Sequence, residues 1–364
     1  MKECGQPPFR ARQIWKWLWA KRARSFADMS DLPLPLRAVL EQSARISRPR
    51  VLDTRVSEDG TVKFLLELED GHSVETVLIP STSQDGKIRL TQCLSSQVGC
   101  AMGCTFCSTG AMGFTRNMRM AEILGQVLVA QEYLDDTKHD PKLRNLVFMG
   151  MGEPLLNLTE LLRSLEVLNN DAGLAFSPRR ITVSTCGIGP GLEALGQCGL
   201  AYLALSLHAP TQELRARIMP KAARLHLDDL MAQLKRYPLH TRERLTFEYL
   251  LLGGVNDSPA EAKALARLMS GIKGKLNLII YNPAEGLPYK EPTAEAVAAF
   301  ESLLRAKRIT ATLRKSKGRD IKAACGQLKA EHARHGALMP PCPALADCGT
   351  GQAGSAAYPD RTAL

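Results

Sequence analysis

The chain has no stretch approaching the roughly 18 apolar residues of a membrane helix, and its start, MKECGQPPFRARQIWKW, has no apolar signal core. These two lacks predict a cytoplasmic protein with no membrane partner. Its ten cysteines, at 4, 93, 100, 104, 107, 186, 198, 325, 342 and 348 of 364 residues, are too few and too unevenly spread for a secreted disulfide scaffold. The thiols are therefore expected to be reduced, and clustered cysteines in that setting point to a metal. Acidic residues are in short supply: 37 Asp+Glu face 47 Lys+Arg, a formal charge of +10. A basic balance of that size points to a polyanionic partner, most often nucleic acid, against the plainer alternative of basic solubility alone. No internal repeat is present. Wholesale disorder is excluded by 45% apolar and 23% charged residues.

Residues 1–50 read as a small basic helical region suited to RNA. Ile14, Trp15, Leu18 and Trp19 recur at helical spacing, with Arg10, Arg12, Lys16, Lys21, Arg22 and Arg24 around them. Residues 51–87 form a hairpin linker, with a turn at Asp70-Gly71 between two apolar runs. From 88 to 329 strand and helix signals alternate. Strands are expected at Arg89–Ser95, Asn145–Met149, Arg180–Ser184, Ala201–Leu207, Leu245–Leu252, Lys275–Tyr281 and Ile309–Leu313. Helices are expected near 120–134, 158–169, 190–198, 226–236, 259–270 and 293–307. Ser258 to Glu261 reads as a capping box with Pro at the first helical position. Such alternation predicts an α/β fold with a parallel sheet or β/α barrel, whose chemistry sits at the C-terminal strand ends. Residues 330–364, rich in Ala, Gly and Pro, read as a flexible tail.

The strongest chemical signal is Cys100-Ala-Met-Gly-Cys104-Thr-Phe-Cys107, directly after an expected strand. Structural zinc wants four ligands, usually as two separated pairs, and no second pair lies nearby. A 4Fe–4S cluster is normally held by four thiolates; with three, one iron stays free for another ligand. Zinc and incidental thiols remain the bland alternatives. The next strand delivers Met149-Gly-Met-Gly-Glu153-Pro154, where glycines permit close backbone approach and Glu153 can accept from an ammonium. The C-x3-C-x2-C spacing followed by GEP resembles the radical S-adenosylmethionine (SAM) superfamily.

Four segments narrow the resemblance: Cys93-Leu-Ser-Ser-Gln-Val-Gly-Cys100, CSTGAMGFTRNM from Cys107, MGMGEPLLN at 149–157, and Asp320-Ile-Lys-Ala-Ala-Cys325-Gly-Gln-Leu328. Together they resemble the dual-specificity RNA adenine C2 methyltransferases of the RlmN type, from about Pro8 to Leu328. The resemblance implies a partial (β/α)6-type radical SAM barrel with a small N-terminal helical domain and a β-hairpin extension. It implies Cys100, Cys104 and Cys107 as cluster ligands. Gly152, Glu153, Ser184, Ser206, Leu207, His208 and Asn282 fall at SAM-contacting positions. Cys325 matches the cysteine that becomes S-methylated, Cys93 the second catalytic cysteine, and Glu75 the proton acceptor. By residue type alone Cys93 is a buried strand residue, His208 structural, and Glu75 a solvated hairpin-edge carboxylate.

Those roles make chemical sense. Adenine C2 is electron-poor and has no acidic proton, so polar methylation is not available there, whereas a carbon radical can add. The resemblance implies two SAM per turnover: one methylates Cys325, the other yields the radical that activates that methyl group. After addition to C2 and loss of its proton, attack by Cys93 on the Cys325 sulfur releases methylated RNA and leaves a disulfide to be reduced. It implies 23S rRNA and tRNA (the adenine 3′ of the anticodon) as substrates, and a one-electron reductant such as flavodoxin or ferredoxin. Nine Lys/Arg between Arg305 and Lys329 against one acid suit phosphate contacts, and the target adenine must be unstacked. The C8 methyltransferases of the Cfr type share both cysteines and are the near alternative. A non-enzymatic iron–sulfur RNA-binding protein leaves Cys93, Cys325 and GEP unexplained, and a glycyl-radical activase leaves the basic run unexplained.

Overall fold

A computed structural model describes residues 5–83, 85–138, 142–240 and 243–329. The tail expected at 330–364, with Cys342 and Cys348, lies outside the described residues, as does Cys4. The N-terminal part holds α1 (Phe9–Trp19) and α2 (Leu34–Ser43). Three strands follow, β1 (Arg50–Val56), β2 (Val62–Glu67) and β3 (Ser73–Thr82), and then β4 (Ile88–Cys93). A short segment of β5 (Gln97–Gly99), α3 (Ser108–Ala111) and β6 (Phe114–Asn117) leads into α4 (Met120–Asp136) and β7 (Leu143–Phe148). The alternation continues with α5 (Leu158–Asn169), β8 (Ile181–Thr185), α6 (Gly189–Cys198) and β9 (Tyr202–Ser206). It ends with α7 (Gln212–Ile218), α8 (Leu227–Lys235), β10 (Leu245–Leu251), α9 (Pro259–Leu268), β11 (Gly274–Ile280), α10 (Ala294–Ala306) and β12 (Ala311–Arg314).

Ten strands form one sheet in the order β1-β2-β3-β4-β7-β8-β9-β10-β11-β12. From β4 to β12 every neighbouring pair is parallel, and spatial order follows chain order. A sheet whose order never reverses has no switch point of the doubly wound kind, and it curls toward a barrel. The seven expected strands and six expected helices are all present, with ends shifted by a few residues. Central β10 reads LTFEYLL and is buried at six of seven positions, as a strand covered on both faces should be. In α5 the apolar residues Leu161, Leu165 and Leu168 repeat at helical spacing and are buried.

Several local expectations are corrected. The hairpin turn at Asp70-Gly71 is present, with Gly71 at φ +81. It is not a separate linker, because β1 adds outside it and β3 pairs antiparallel with β4, fusing it to the parallel sheet. The α1 stripe does not face one core. Trp15 and Trp19 pack on the main core, while Ile14 and Leu18, joined by Trp17, pack on a small N-terminal cluster around Phe26, Met29 and Leu36. Ser258 does cap α9 by accepting from the Ala260 N–H, with Pro259 opening the helix. Glu261 bonds the Ser258 hydroxyl rather than its backbone, so the reciprocal box is incomplete. The pairing of β5 with β6 and the helix α7 had no clear sequence signal.

Candidate functional site

The cysteine loop springs from the end of β5 and is clasped by the β5–β6 pair. Cys100 N–H donates to the Gly113 carbonyl at 2.7 Å, and Gly99, at φ +74, must be glycine because a Cβ would run into that carbonyl. Beneath the loop lies a second apolar cluster of Met102, Phe106, Ile218, Met219, Leu250, Leu252 and Tyr281, against which Cys100, Cys104 and Cys107 pack. The three thiols border one cavity of about 160 Å³, with Gly152, Glu153, Ser184, Ser206, His208, Glu248 and Cys325 also in its wall. Burial pushes the Cys100 thiol up to about 11 and raises Cys104 and Cys107 as well. Such thiols need a cationic partner to ionise.

The Gly-Met-Gly-Glu strand end is shaped by packing. A Cβ on Gly150 would sit 2.7 Å from the Leu94 carbonyl, and one on Gly152, at φ +104, would sit 2.6 Å from the Gln97 side chain. The glycines expected to admit a ligand also admit the close approach of residues 94–97, and both remain in the cavity wall. Glu153 accepts from the Leu155 N–H at 3.0 Å through one oxygen and from the Cys186 N–H at 2.8 Å through the other. Burial still raises its pKa. Ser184 and Ser206, on adjacent strands, have hydroxyls 3.2 Å apart.

Just beyond β9, His208 adopts φ +53. Its Nδ1 accepts from the Leu250 N–H at 3.0 Å, which places the proton of the neutral ring on Nε2. Burial, helped by the Arg215 charge, pulls its pKa down to about 3. Leu207 departs from its companions: its side chain lies in the main core and only its backbone runs beside the site. Asn282 is also outside the cavity wall. Its Nδ2 donates to Ser316 Oγ at 2.8 Å, and its buried Oδ1 has no partner.

Cys325 lies on a segment fastened from both sides. Ser108 N–H donates to the Gly326 carbonyl at 2.8 Å, and Thr109 Oγ1 to the Leu328 carbonyl at 2.6 Å. Asp320 accepts from Ser57 Oγ at 2.6 Å, and Gly318 N–H donates to Asp59 at 3.0 Å. Cys93, at the end of β4, is buried, and burial followed by the nearby Cys325 charge pushes its thiol up to about 12. Two thiols 232 positions apart are thus brought into one neighbourhood, and both are free thiols here.

Glu75 is not the solvated carboxylate its residue type allows. It is 4% exposed, ion-paired with Lys63 at 2.9 Å, and accepts from the Lys329 N–H at 2.8 Å. It lines a second cavity of about 370 Å³ with Lys63, Ser108, Lys322, Gln327 and Lys329. Segment 325–329 is thus the wall between the two cavities, with Cys325 and Gly326 on one side and Gln327 and Lys329 on the other.

Sequence reading missed three buried charges. Glu248, in the middle of β10, has one oxygen on Asn277 Nδ2 at 2.8 Å and the other buried without a partner. Burial raises its pKa. An acid inside the run TFEYLL was the available signal. Arg215, fully buried, donates to the backbone carbonyls of Leu207 (2.7 Å) and Cys186. Lys63 is the third. The basic run also needs correcting. Within it, Arg305 pairs with Glu301 one turn back on α10, Arg314, Lys317, Arg319 and Lys322 meet acids from elsewhere in the fold, and β12 separates Arg305, Lys307 and Arg308 from the rest.

The donor set fits an iron–sulfur cluster: three soft thiolates on one cavity, with the unpartnered Glu248 oxygen in the same wall. Residues 94–266 match the radical SAM superfamily, and residues 1–46 the N-terminal domain of ribosomal RNA large subunit methyltransferases. Barrel, thiol loop and these matches define a radical SAM enzyme, which uses a 4Fe–4S cluster and SAM. A solved radical SAM methyltransferase from Sphaerobacter thermophilus superposes with a TM-score of 0.83 at 42% identity, covering 91% of this chain and 95% of that one. The dual-specificity RNA methyltransferase RlmN of Nitratidesulfovibrio vulgaris (strain DSM 19637 / Miyazaki F) is 68% identical over 90% of this chain and 89% of its own. That of Geobacter sulfurreducens is 49% identical over 89% and 87%. The chain belongs to the RlmN family of dual-specificity RNA methyltransferases. No helix among the described residues is long and apolar enough to cross a membrane.

Proposed function

We propose that this enzyme methylates C2 of adenine in 23S rRNA and in tRNA, at the adenine 3′ of the anticodon, through an S-methylated Cys325. The observation that carries the residue roles is the position of Cys325 in the wall between the thiol cavity and the Glu75 cavity, with Cys93 in electrostatic reach. Cys100, Cys104 and Cys107 hold the cluster, which with SAM supplies a carbon radical when bound. Gly152, Glu153, Ser184, Ser206, His208 and Asn282 position SAM, with the backbone of Leu207. Glu153 and the unpartnered Asn282 oxygen are acceptors, and neutral His208 offers an Nε2–H.

Cys325 gives up its thiol proton to receive the first methyl group and presents that methyl toward the base. Glu75 takes the C2 proton at a carboxylate oxygen, and the Lys63 ammonium holds that carboxylate in place. With the base joined to the Cys325 methylene carbon, Cys93 loses its thiol proton and attacks the Cys325 sulfur: the S–S bond forms as the S–CH2 bond breaks, the electron pair of that bond leaves on the methylene carbon, and a proton taken up there completes the product methyl group. The N-terminal region 1–50 and the hairpin flank the barrel as RNA contacts, the reductant is a flavodoxin or ferredoxin, and the cytoplasm is where these RNAs are met.

The test is mass spectrometry of RNA digested after anaerobic turnover. 2-Methyladenosine is expected; 8-methyladenosine would place the enzyme with the Cfr type, and unmodified RNA despite SAM cleavage would overturn the reading.

A further inference from the structure

Because β4, β7 and β8 are parallel neighbours, their N-terminal ends share one edge of the sheet, opposite the thiol cavity. Six cations stand there: Lys87 and Arg89 at β4, Lys142 and Arg144 at β7, Arg179 and Arg180 before β8. The register brings them together, since Leu90 pairs with Leu143 and Leu146 with Ile181. Lys87, Lys142, Arg144 and Arg179 are exposed. Among the described residues a single carboxylate pairs with any of the six: Asp85, 3.5 Å from Arg89. Arg180 reaches only the Asn145 side chain, at 3.3 Å. Its pKa is lowered by burial and then by the charges of Arg144, Arg179 and Arg89.

Like charges this close repel, and among the described residues Asp85 alone offsets them, leaving five of the six without a carboxylate partner. Helix macrodipoles do not account for them either, because neither α4 nor α5 carries a basic residue in its last turn. The six residues of β7 set this edge about 20 Å from the cavity, at roughly 3.3 Å per residue. That separation disfavours an acidic electron carrier, which must approach the cluster. It suits a long polyanion, since duplex nucleic acid carries a charge about every 1.7 Å of axis.

We propose that this edge is a second RNA-binding surface, holding the phosphate backbone of the substrate RNA remote from the target adenine. The proposal rests on the RNA methyltransferase reading above. It gives the enzyme a grip on large folded RNA that a minimal hairpin does not reach. Phosphate contacts there position the RNA without reading its bases.

The experiment compares wild type with a Lys142→Ala/Arg144→Ala/Arg179→Ala variant, using whole tRNA and an isolated anticodon hairpin, each titrated over a salt series. All three side chains are exposed and outside the site, so cluster content, SAM cleavage and hairpin methylation are expected to stay at wild-type level. For whole tRNA the slope of log Kd against log salt should fall by about 2–3, at 0.7–0.9 per phosphate contact. The hairpin slope should not change. An unchanged slope on whole tRNA would overturn the proposal. So would a variant that binds tRNA normally but accepts electrons poorly from flavodoxin, since the edge would then belong to the reductant. Wild type that methylates neither RNA at C2 would instead remove the functional reading itself.

Discussion

Lys63 and Glu75 form a buried ion pair, 8% and 4% exposed and 2.9 Å apart, at the wall that carries Cys325. Lys63 also donates to the Lys322 carbonyl at 3.3 Å, so the pair bolts the β-hairpin to the methyl-carrying segment. Lys63→Met keeps the length and apolar stem but leaves a buried carboxylate without its cation. Removing one partner of a buried pair costs about 3–5 kcal/mol, whereas replacing both by uncharged groups of similar volume is close to neutral. Glu75→Gln should cost a similar amount, because it leaves the ammonium unpaired. The Lys63→Met/Glu75→Gln double variant should return to within about 1 kcal/mol of wild type. The compact unit of 331 residues unfolds with an entropy of about 0.7 kcal/mol/K, at roughly 2.1 cal/mol/K per residue. Each single variant should therefore melt about 4–7 °C lower. Urea and thermal unfolding of the four proteins complete the cycle. Single variants costing under about 1 kcal/mol, or a double variant equal to the sum of the singles, would refute the reasoning.

The remaining predictions concern the thiols and the histidine. Cys100→Ala, Cys104→Ala or Cys107→Ala should each abolish the brown iron–sulfur absorbance after anaerobic reconstitution, and colourless wild type with stoichiometric zinc would contradict this. Cys93→Ala should cleave SAM and accumulate RNA joined covalently through Cys325, seen as a nuclease-sensitive shifted band on a denaturing gel, while Cys325→Ala forms no adduct. Normal multiple turnover by Cys93→Ala would exclude its releasing role. His208, held neutral down to about pH 3 against 6.5 when unfolded, contributes stability present above 6.5 and lost as pH falls toward 3. Across that window wild type should lose up to about 1.4 kcal/mol per pH unit more than His208→Asn, a residue that tolerates φ +53 and keeps an acceptor. Parallel urea midpoints from pH 7 to 4 would show this account of His208 to be mistaken.

Much of the fold was legible because strand and helix periods are local. The run at 245–252 and the Leu repeat of α5 each announce their element before any neighbour is known. Three thiols within eight residues are equally local. What sequence did not carry depends on partners far along the chain. The pairing of β5 with β6 appears only once Gly99 and Gly113 are seen pressed together. That the Cys186 and Leu155 amides also hold Glu153, one on each oxygen, could not be read from the Gly-Glu-Pro run. The basic run from Arg305 to Lys329 reads as one surface, yet β12 divides it and Asp59, Glu248, Glu285 and Glu291 neutralise much of it. Glu75 stayed ambiguous for the same reason: Lys63 and the Lys329 amide, 254 positions on, decide its surroundings.

The fastening of the last described segment to the hairpin also sets an order of manufacture. Ser57 and Asp320 are 263 positions apart, and Asp59 and Gly318 259. A chain emerging from the ribosome delivers the cluster-holding loop when less than a third of its length has been made. The methyl acceptor arrives only with Cys325, and its seat is complete only at Lys329. Once Tyr281 and Asn282 have been added, the thiol loop, the apolar cluster beneath it and the rest of that cavity wall up to Cys325 are all present, with no thiol yet in place to receive a methyl group. Long-range closures of this kind are slow to form and come late in folding. Competence for the first half of the reaction should therefore precede competence for the second during synthesis, and a nascent chain halted just before Cys325 should cleave SAM without modifying RNA.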